Sequence, residues 1–381
     1  MRILHTADWH LGKMFYGSYL TDDQAYVLTE QFLPLIRDEH IDAVVLAGDV
    51  YDRSLPPTEA VALFDEISTK ITAEMGVPFF VISGNHDSAA RLSFGSALLA
   101  KEGLHIAGTL DKLPSPITLY DQDGPVTFVS LPFAEPAAVR HYLQADDIRS
   151  HEQALVGLMQ HQGGVPQGRS VCIAHAFVAG STASDSERPL SIGGTDMVDS
   201  SIFSGYTYTA LGHLHGPQQA GSPAVRYAGS LLKYSFGEAR QKKGALVVDI
   251  DGSGTVQTVF QPFVPKHDVQ VVEGFFDDIM RRDDEGCGDF LLFRLADEAP
   301  ILDGMAKLRK KYPRAMALET PNRRTAGSEE RSFDLHGTTE RQLFESFAMA
   351  MQGDRPLTEA ERTCMDELWK GLLEAEGGGL L

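Results

Sequence analysis

Residues 1–12 read MRILHTADWHLG, a short apolar run that ends in two side chains able to bind metal, Asp8 and His10. Four later segments repeat this arrangement, each placing polar ligand types after an apolar or β-branched run: Gly48-Asp49, Gly84-Asn85-His86-Asp87, His175 and Gly212-His213-Leu214-His215. Such runs are typical of strands buried on both faces. Open α/β sheets bind ligands where their strands end. The five segments therefore predict a binuclear metal site at the end of a sheet.

The chain from residue 1 to about 265 alternates apolar strands with amphipathic helices, which predicts a layered α/β domain with a mixed β-sheet. One helix is expected over Thr21–Glu39, opened by a capping box of Thr21 and Gln24. A second follows Pro56-Pro57 and ends before Gly76. Three later strands, 225–228, 244–249 and 255–260, have no long helices between them, so one side of the sheet should be antiparallel.

After Pro265 the pattern restarts as a small α+β unit with strands at 267–272, 290–295 and 315–318 and helices at 275–282 and 303–311. Residues 320–334 are polar and irregular, typical of a linker. The expected organisation is a domain over 1–265, the small α+β unit over 266–320 and a two-helix tail over 335–376. Capping boxes open both tail helices, Thr339 with Gln342 and Thr358 with Glu361. Their apolar stripes either pack on the body or form a docking face for helices of another chain.

Composition and charge limit the possible functions. The chain has 381 residues, 43% of them hydrophobic, and no run approaches the roughly 20 apolar residues of a membrane span. Met1-Arg2 leads straight into the first strand, so we expect no signal peptide. Three dispersed cysteines fit a reducing cytoplasm. The net charge of −20 argues against general coating of nucleic acid, but not against a nuclease that holds phosphate through metal ions.

Basic residues are concentrated between Arg281 and Arg331, where 11 Lys or Arg stand against 10 Asp or Glu. This segment is the best candidate for touching a polyanion. The alternative is a solvated helix face, and charge alone favours that alternative.

The residue types fit two divalent cations about 3.5–4 Å apart that share a carboxylate. Asp8 and His10 lie two apart, so in an extended chain both point the same way, and His213 and His215 share that geometry. Asp49 is the candidate bridge because a carboxylate can divide its two oxygens between ions. Asn85 adds an amide oxygen and His175 a nitrogen. The predicted ligands are Asp8, His10, Asp49, Asn85, His175, His213 and His215.

Charge balance indicates the reaction. Two divalent ions with two carboxylates leave two positive charges, which a phosphodiester and a hydroxide would neutralise; this predicts a hydrolase of phosphate esters. His86 is the proton-transfer candidate, and Asp87 would orient its neighbours. Oxygen and imidazole ligands suit manganese, iron or zinc. The remaining histidines are expected to be surface or hydrogen-bonded structural residues: His5, His40, His105, His141, His151, His161, His267 and His336.

The order D-x-H, GD, GNHD, H and GHxH resembles the calcineurin-like metallophosphoesterase superfamily. Further stretches resemble its SbcD family, the nuclease subunits of bacterial SbcC–SbcD complexes: residues 1–12, 47–53 (AGDVYDR), 83–88 (SGNHDS), 184–190 (SDSERPL) and 227–236 (YAGSLLKYSF). The resemblance covers nearly the whole chain. Relatives outside bacteria carry a further histidine after the Gly-Asp motif, where this chain has Asp52-Arg53, so no role is assigned there.

The resemblance implies Mn2+-dependent DNA cleavage, with 3′ to 5′ exonuclease action on duplex ends and endonuclease action on single strands and hairpins. It implies a homodimer within a heterotetramer with an SbcC-type coiled-coil ATPase, acting in DNA repair, recombination and replication in the cytoplasm at the nucleoid. One metal would be held by Asp8, His10, Asp49 and His215, and the other by Asp49, Asn85, His175 and His213, with His86 as proton donor. By the same resemblance, the unit over 266–320 would be a capping domain that orients DNA, and the tail would dock on the ATPase.

Two other functions are weighed against a nuclease. A stand-alone phosphoesterase acting on nucleotides or other small phosphate esters would use the same site, but it has no need of a basic cap and a paired-helix tail. A scaffold with a vestigial site would not need all seven ligands and His86.

Overall fold

The computed structural model describes residues 1–187, 197–282, 288–299 and 301–321, together with 345, 348, 349, 357–363 and 365. Within these residues the strands are β1 (Arg2–Thr6), β2 (Met14–Phe15), β3 (Ser18–Tyr19), β4 (Ala43–Leu46), β5 (Phe79–Ile82), β6 (Leu104–Ala107), β7 (Ile117–Asp121), β8 (Gly124–Leu131), β9 (Arg169–His175), β10 (Phe177–Val178), β11 (Met197–Val198), β12 (Tyr208–Gly212), β13 (Gln218–Ala220), β14 (Ser222–Tyr227), β15 (Gly244–Ile250), β16 (Val256–Pro262), β17 (Val269–Gly274), β18 (Phe290–Leu295) and β19 (Ala315–Glu319). The α-helices are α1 (Thr21–Val27), α2 (Leu33–Asp38), α3 (Thr58–Thr69), α4 (Ala89–Leu92), α5 (Ser96–Leu99), α6 (Pro136–Leu143), α7 (His151–His161), α8 (Phe276–Arg281) and α9 (Gly304–Lys311).

The first large sheet has the strand order β16-β15-β1-β4-β5-β6. β1, β4, β5 and β6 run parallel, with Ile3 opposite Ala43 and Val44 opposite Phe79. β15 and β16 add antiparallel strands at one edge. The predicted antiparallel side is therefore confirmed for residues 244–262.

A second six-stranded sheet has the order β13-β14-β12-β9-β8-β7. Its central strands β14, β12, β9 and β8 are parallel, and Gly212 lies opposite His175. The chain thus forms two mixed sheets, whereas the sequence pattern predicted the later strands at the side of one sheet; the strand predicted at 225–228 belongs to this second sheet. The layered α/β class itself is confirmed.

The hydrophobic core lies between the two sheets. Ile3 and Val45 from the first sheet and Val171 and Ile173 from the second are fully buried in one cluster. The rings of Phe80 and Phe128 stack across the interface with their centroids 4.3 Å apart. Each buried side chain of this size contributes about 1.5–3 kcal/mol of hydrophobic stabilisation. This packing fixes the two sheets against each other and so aligns their strand ends.

The predicted helix over 21–39 is found as α1 and α2 joined by a π-helical turn at Leu28–Phe32. The predicted capping box of Thr21 and Gln24 is wrong. Gln24 is buried, and its side-chain amide donates to the carbonyl oxygens of Trp9 and His10, both at 2.9 Å. The Trp9 carbonyl also accepts from the Tyr234 hydroxyl and the His10 carbonyl from the Lys13 amide, so Gln24 adds to the bonds that hold the loop after β1 and does not cap the helix.

The chain divides into two compact units, the first formed by Met1–Val271 with Gly286–Leu292 and Tyr312–Met316, and the second by the described residues outside these ranges. A small sheet has the order β17-β18-β19. These strands and α8 and α9 lie within two residues of the predicted positions. The predicted domain boundaries at 265, 266–320 and 335–376 are not tested by this division and stay predictions.

Several basic residues of the middle segment have acceptors nearby. Arg294 pairs with Glu273 at 3.4 Å and Glu319 at 2.8 Å, and Lys311 donates to the Met280 carbonyl at 3.0 Å. Both of these cations therefore have partners within the protein.

Most of the predicted tail lies outside the described residues, including the Thr339–Gln342 capping box. The second box is present: Glu361 accepts from the Thr358 amide at 2.7 Å, and the Glu361 amide donates to the Thr358 hydroxyl at 3.4 Å. In the part of the chain that is described, no helix combines the length and the apolar character needed to span a bilayer.

Candidate metal centre

The five predicted segments meet where parallel strands of both sheets end. β1, β4 and β5 of the first sheet deliver Asp8, His10, Asp49, Asn85 and His86, whereas β9 and β12 of the second deliver His175, His213 and His215. All these side chains are at least largely buried. The predicted grouping of the segments at strand ends is thus observed, with the addition that the cluster spans two sheets.

The backbone at the cluster is strained. Asp8, His10, Asp49 and His213 have φ values of 51°, 44°, 50° and 103°, in the left-handed region that non-glycine residues seldom adopt. The spacing of Asp8 and His10 predicted an extended chain between them, and that prediction is wrong. Strain of about 1–3 kcal/mol per residue persists only where the surroundings impose it, and it concentrates at functional sites.

A first group brings together Asp8, His10 and His215, whose ligand atoms lie within 4.8 Å of one another. The Nε2 atoms of His10 and His215 are 3.0 Å apart. The Nδ1 atom of His215 lies 2.6 Å from the Ser186 hydroxyl, and that hydroxyl donates to Glu238, so the imidazole is the donor. The Nε2 of His215 therefore carries a lone pair directed at His10.

A second group forms around Asp49. Its Oδ2 atom is 3.6 Å from both His10 Nε2 and His175 Nε2, so one carboxylate oxygen lies between the two groups. His175 donates through Nδ1 to the Ala47 carbonyl at 2.9 Å, which leaves its Nε2 as an acceptor 2.9 Å from the Asn85 side-chain oxygen. His213 Nδ1 is 3.4 Å from that same oxygen. His213 and His215 therefore face different groups, contrary to the common direction inferred from their spacing.

Glycines leave the space that these contacts need. A Cβ at Gly84 would lie 2.1 Å from Asp49 Oδ1, and one at Gly212 would lie 1.8 Å from the Ala47 carbonyl oxygen. Any side chain at either position would displace the ligand-bearing loops.

His86 and Asp87 complete the loop after β5. His86 Nδ1 donates to the Asp52 carbonyl at 2.8 Å, and its ring centroid is 4.6 Å from that of His10. Asp87 accepts from the amides of Val50 at 3.1 Å, Tyr51 at 2.9 Å and Gly84 at 2.9 Å. Asp87 thus ties the loops after β4 and β5 together, as its predicted orienting role requires.

Burial shifts the pKa values of several side chains in the cluster. Desolvation, with the neighbouring charge of Asp49, raises the pKa of Asp8 well above its ordinary value. Desolvation lowers the pKa of His10 and His213 well below theirs, and lowers that of His175 as well. Burial therefore favours the neutral, lone-pair form of these three imidazoles and disfavours the charged form of Asp8. Both properties fit a site for divalent cations.

The residues that hold His215 were not predicted from the sequence. Glu187 accepts from the His215 amide at 2.7 Å, and Lys243 donates to the His215 carbonyl at 2.7 Å. Glu238 lies 3.4 Å from His215 Nδ1 and pairs with Lys243 at 2.6 Å. Burial opposes the ionisation of Glu238, but the hydrogen bond from His215 and the charge of Lys243 outweigh it and lower its pKa. No local motif marks Glu238 or Lys243, because they lie in a charged stretch between β14 and β15 that has no metal-ligand spacing.

The other described histidines behave as structural residues where contacts are seen. His5 is fully buried, donates to the Leu211 carbonyl at 3.1 Å and accepts from the Tyr208 hydroxyl at 2.8 Å, and burial lowers its pKa to about 3. His267 contacts Asp23 at 3.1 Å. His336 lies outside the described residues.

Two family models match the chain. The model described as calcineurin-like phosphoesterase matches residues 1–176, and the one described as type 5 capsule protein repressor C-terminal domain matches 265–352. The SbcD subunit of the nuclease SbcCD of Staphylococcus epidermidis is 38% identical over 322 residues, which are 84% of this chain and 85% of that protein.

Two solved structures overlap the chain in part. TT1561 of Thermus thermophilus has a TM-score of 0.39 and 14% identity, covering 68% of this chain and 98% of that one. The calcineurin-like phosphoesterase YfkN of Bacillus subtilis has a TM-score of 0.34 and 12% identity, covering 70% and 90%.

Proposed function

This chain belongs to the SbcD family of nuclease subunits, and from that membership we propose that it hydrolyses DNA phosphodiesters with two Mn2+ ions. The observation that carries the proposal is the position of Asp49, whose Oδ2 lies 3.6 Å from an imidazole of each ligand group. One metal would be held by Asp8, His10, Asp49 and His215, and the other by Asp49, Asn85, His175 and His213. The donor set of carboxylate, amide and imidazole suits Mn2+.

When bound, two such ions lower the pKa of water and offset the charge that develops on the phosphodiester. The side chains of this protein would orient the metal ligands and supply the proton for the leaving group. His175 is fixed by the Ala47 carbonyl, and His215 by Ser186 and Glu238, so each presents Nε2 as a ligand. His86 is anchored through its Nδ1–H to the Asp52 carbonyl, and as an imidazolium it would carry a second proton on Nε2 that could pass to the leaving oxygen.

The DNA substrate and the partner belong to the same proposal. We infer ATP-dependent 3′ to 5′ exonuclease action on double-stranded ends, and endonuclease action on single strands and hairpins, together with an SbcC-type coiled-coil ATPase. The enzyme would act at the nucleoid in the cytoplasm, in DNA repair, recombination and replication. Residues 266–320 would orient the DNA, and the helices of 335–376 would dock on the ATPase.

The test of this function is cleavage by the purified chain in Mn2+, with and without the ATPase and ATP. The substrates are a hairpin-ended duplex and bis(p-nitrophenyl) phosphate, a small diester. We expect the hairpin to be cut at its end when the partner and ATP are present. Cleavage of the small diester alone, under every condition, would contradict the nuclease proposal.

We also propose a homodimer, supported by an apolar groove of about 1080 Å³ beside α3, α4 and α5. The side chains of Phe94 and Leu98 line it and are 87% and 71% exposed, and Leu55 and Val61 extend the apolar surface. Exposed apolar patches of this kind mark protein interaction sites. A second copy of the same surface would cover these side chains.

Replacing Phe94 and Leu98 together by glutamate is expected to halve the mass measured by light scattering, from twice 41.6 kDa to 41.6 kDa. The physical reason is that each buried carboxylate would cost several kcal/mol without a partner. Tyr120→Glu, at an exposed apolar side chain outside the groove, is the control and should leave the mass unchanged. A monomeric wild-type chain, or a double variant that stays dimeric, would refute this surface as the dimer interface.

A further inference from the structure

A cavity of about 520 Å³ opens between the edges of the two large sheets and is lined in part by Gly216, the residue after His215. Arg226 and Lys242 provide its positive charge, and no carboxylate is found among the described residues that line it. Its apolar side is formed by Leu246 and half-buried Phe260. A cavity of this size can hold a ligand as large as a nucleotide.

Arg226 is the unusual feature of this cavity. The residue is partly buried on β14, and its Nε atom is fully shielded without a hydrogen-bond partner. In the described part of the chain neither Arg226 nor Lys242 forms an ion pair, although the protein carries a net charge of −20. Two cations that line one cavity favour an anionic ligand, and a guanidinium is the side chain best suited to bind a phosphate.

Hydrogen bonds hold the residues that line the cavity, and one of them links the lining to a residue that holds His215. Gln218 exchanges hydrogen bonds with the backbone of Thr182, both at 2.8 Å, which fixes the loop after β10. Gln241 accepts from Lys243 at 2.8 Å, and Lys243 also donates to the His215 carbonyl at 2.7 Å. A ligand in the cavity would therefore lie against the same rigid frame as the metal centre.

We propose that this cavity binds one nucleotide unit of the DNA strand, with its phosphate on Arg226 and Lys242 and its base or sugar against Phe260. This proposal rests on the proposed function, because the cavity would be a second binding site for the DNA strand that the metal centre cleaves. Stacking on an aromatic ring and a cationic contact to phosphate together are the usual means of holding single strands.

The test measures binding of dTMP, thymidine and inorganic phosphate to the metal-free full-length protein by calorimetry. We expect dTMP to bind more tightly than the other two, and Arg226→Gln and Lys242→Gln each to weaken it about tenfold. Arg149→Gln, at an exposed arginine outside the cavity, should bind as the wild type does. Lys242 is exposed, so Lys242→Gln reports on the site even where Arg226→Gln does not fold.

With a single-stranded oligonucleotide in Mn2+, the same two variants should raise KM about tenfold and lower the salt slope of binding by about 0.7 for each lost phosphate contact. Unchanged dTMP binding in both variants, or equal binding of phosphate and dTMP, would overturn the nucleotide site. Absence of DNA cleavage together with Arg226-dependent dTMP binding would instead defeat the proposed nuclease function and leave the cavity assignment standing.

Discussion

Replacing His86 by alanine is expected to slow DNA cleavage by about 10²–10⁴-fold while the number of Mn2+ ions bound per chain stays the same. Positioned general acids contribute rate enhancements of this size. The backbone amide of His86 donates to Asp49 Oδ1 at 2.8 Å and does not depend on the imidazole, so the loop should survive the change. The rate is measured on the hairpin substrate, and metal is counted after dialysis.

The control for this variant is His141→Ala, which removes an exposed imidazole from α6. The competing role for His86 is that of a ligand, because its ring nitrogen lies within 4.8 Å of ligand atoms of His10 and Asp49. A loss of bound metal in His86→Ala would establish that role. An unchanged cleavage rate would exclude His86 as the proton donor.

Replacing Asp49 by asparagine is expected to reduce the bound Mn2+ from two ions to at most one and to lower cleavage more than a hundredfold. Asparagine keeps the volume and the acceptor for the His86 amide, but it removes the negative charge. The Oδ2 atom lies 3.6 Å from His10 Nε2 and His175 Nε2, so both groups lose the oxygen they share. The alternative result, two ions retained in Asp49→Asn, would show that Asp49 does not bridge.

The matched control is Asp121→Asn, which removes a carboxylate that pairs with Arg169 at 2.6 Å instead of facing the imidazoles. That variant is expected to lose stability and to keep both ions. A thermal melt with and without Mn2+ separates the two effects. Saturation of the wild type at a hundredfold excess over Kd should raise Tm by about 5 °C or more for two ions.

Much of the site could be predicted because ligand residues follow buried strands, and strands leave a strong signal in sequence. The apolar runs before Asp8, Asp49 and His175 are each fully buried along all or nearly all of their length. The conjunction of five such segments predicted a site for a pair of cations. Residue type and chain order were therefore sufficient to identify the cluster.

The detailed geometry could not be predicted because it depends on backbone strain and on contacts between distant segments. Spacing suggested that His213 and His215 point the same way, yet the left-handed φ of His213 directs them to different groups. Glu238 reaches His215 only through the folding of a later loop, and no periodicity marks such a residue. For the same reason Gln24 suggested a helix cap, whereas its burial makes it a support for the loop after β1.

The sequence pattern also could not predict that the strands divide into two sheets. An apolar strand has the same sequence pattern whichever sheet it joins. Only the pairing partners show that β14 belongs to the second sheet and β15 to the first. The consequence for function is direct, because the metal centre needs strand ends from both sheets. The stacking of Phe80 on Phe128 across the core is one of the contacts that bring them together.

The most direct test of the two-metal account is the number of Mn2+ ions that remain on the wild-type chain after equilibrium dialysis, measured beside DNA cleavage by the same sample. The account predicts two ions per chain, and cleavage of the hairpin with the ATPase partner that rises with occupancy of the second ion. Full cleavage with a single bound ion, or two bound ions without any cleavage of DNA, would contradict it.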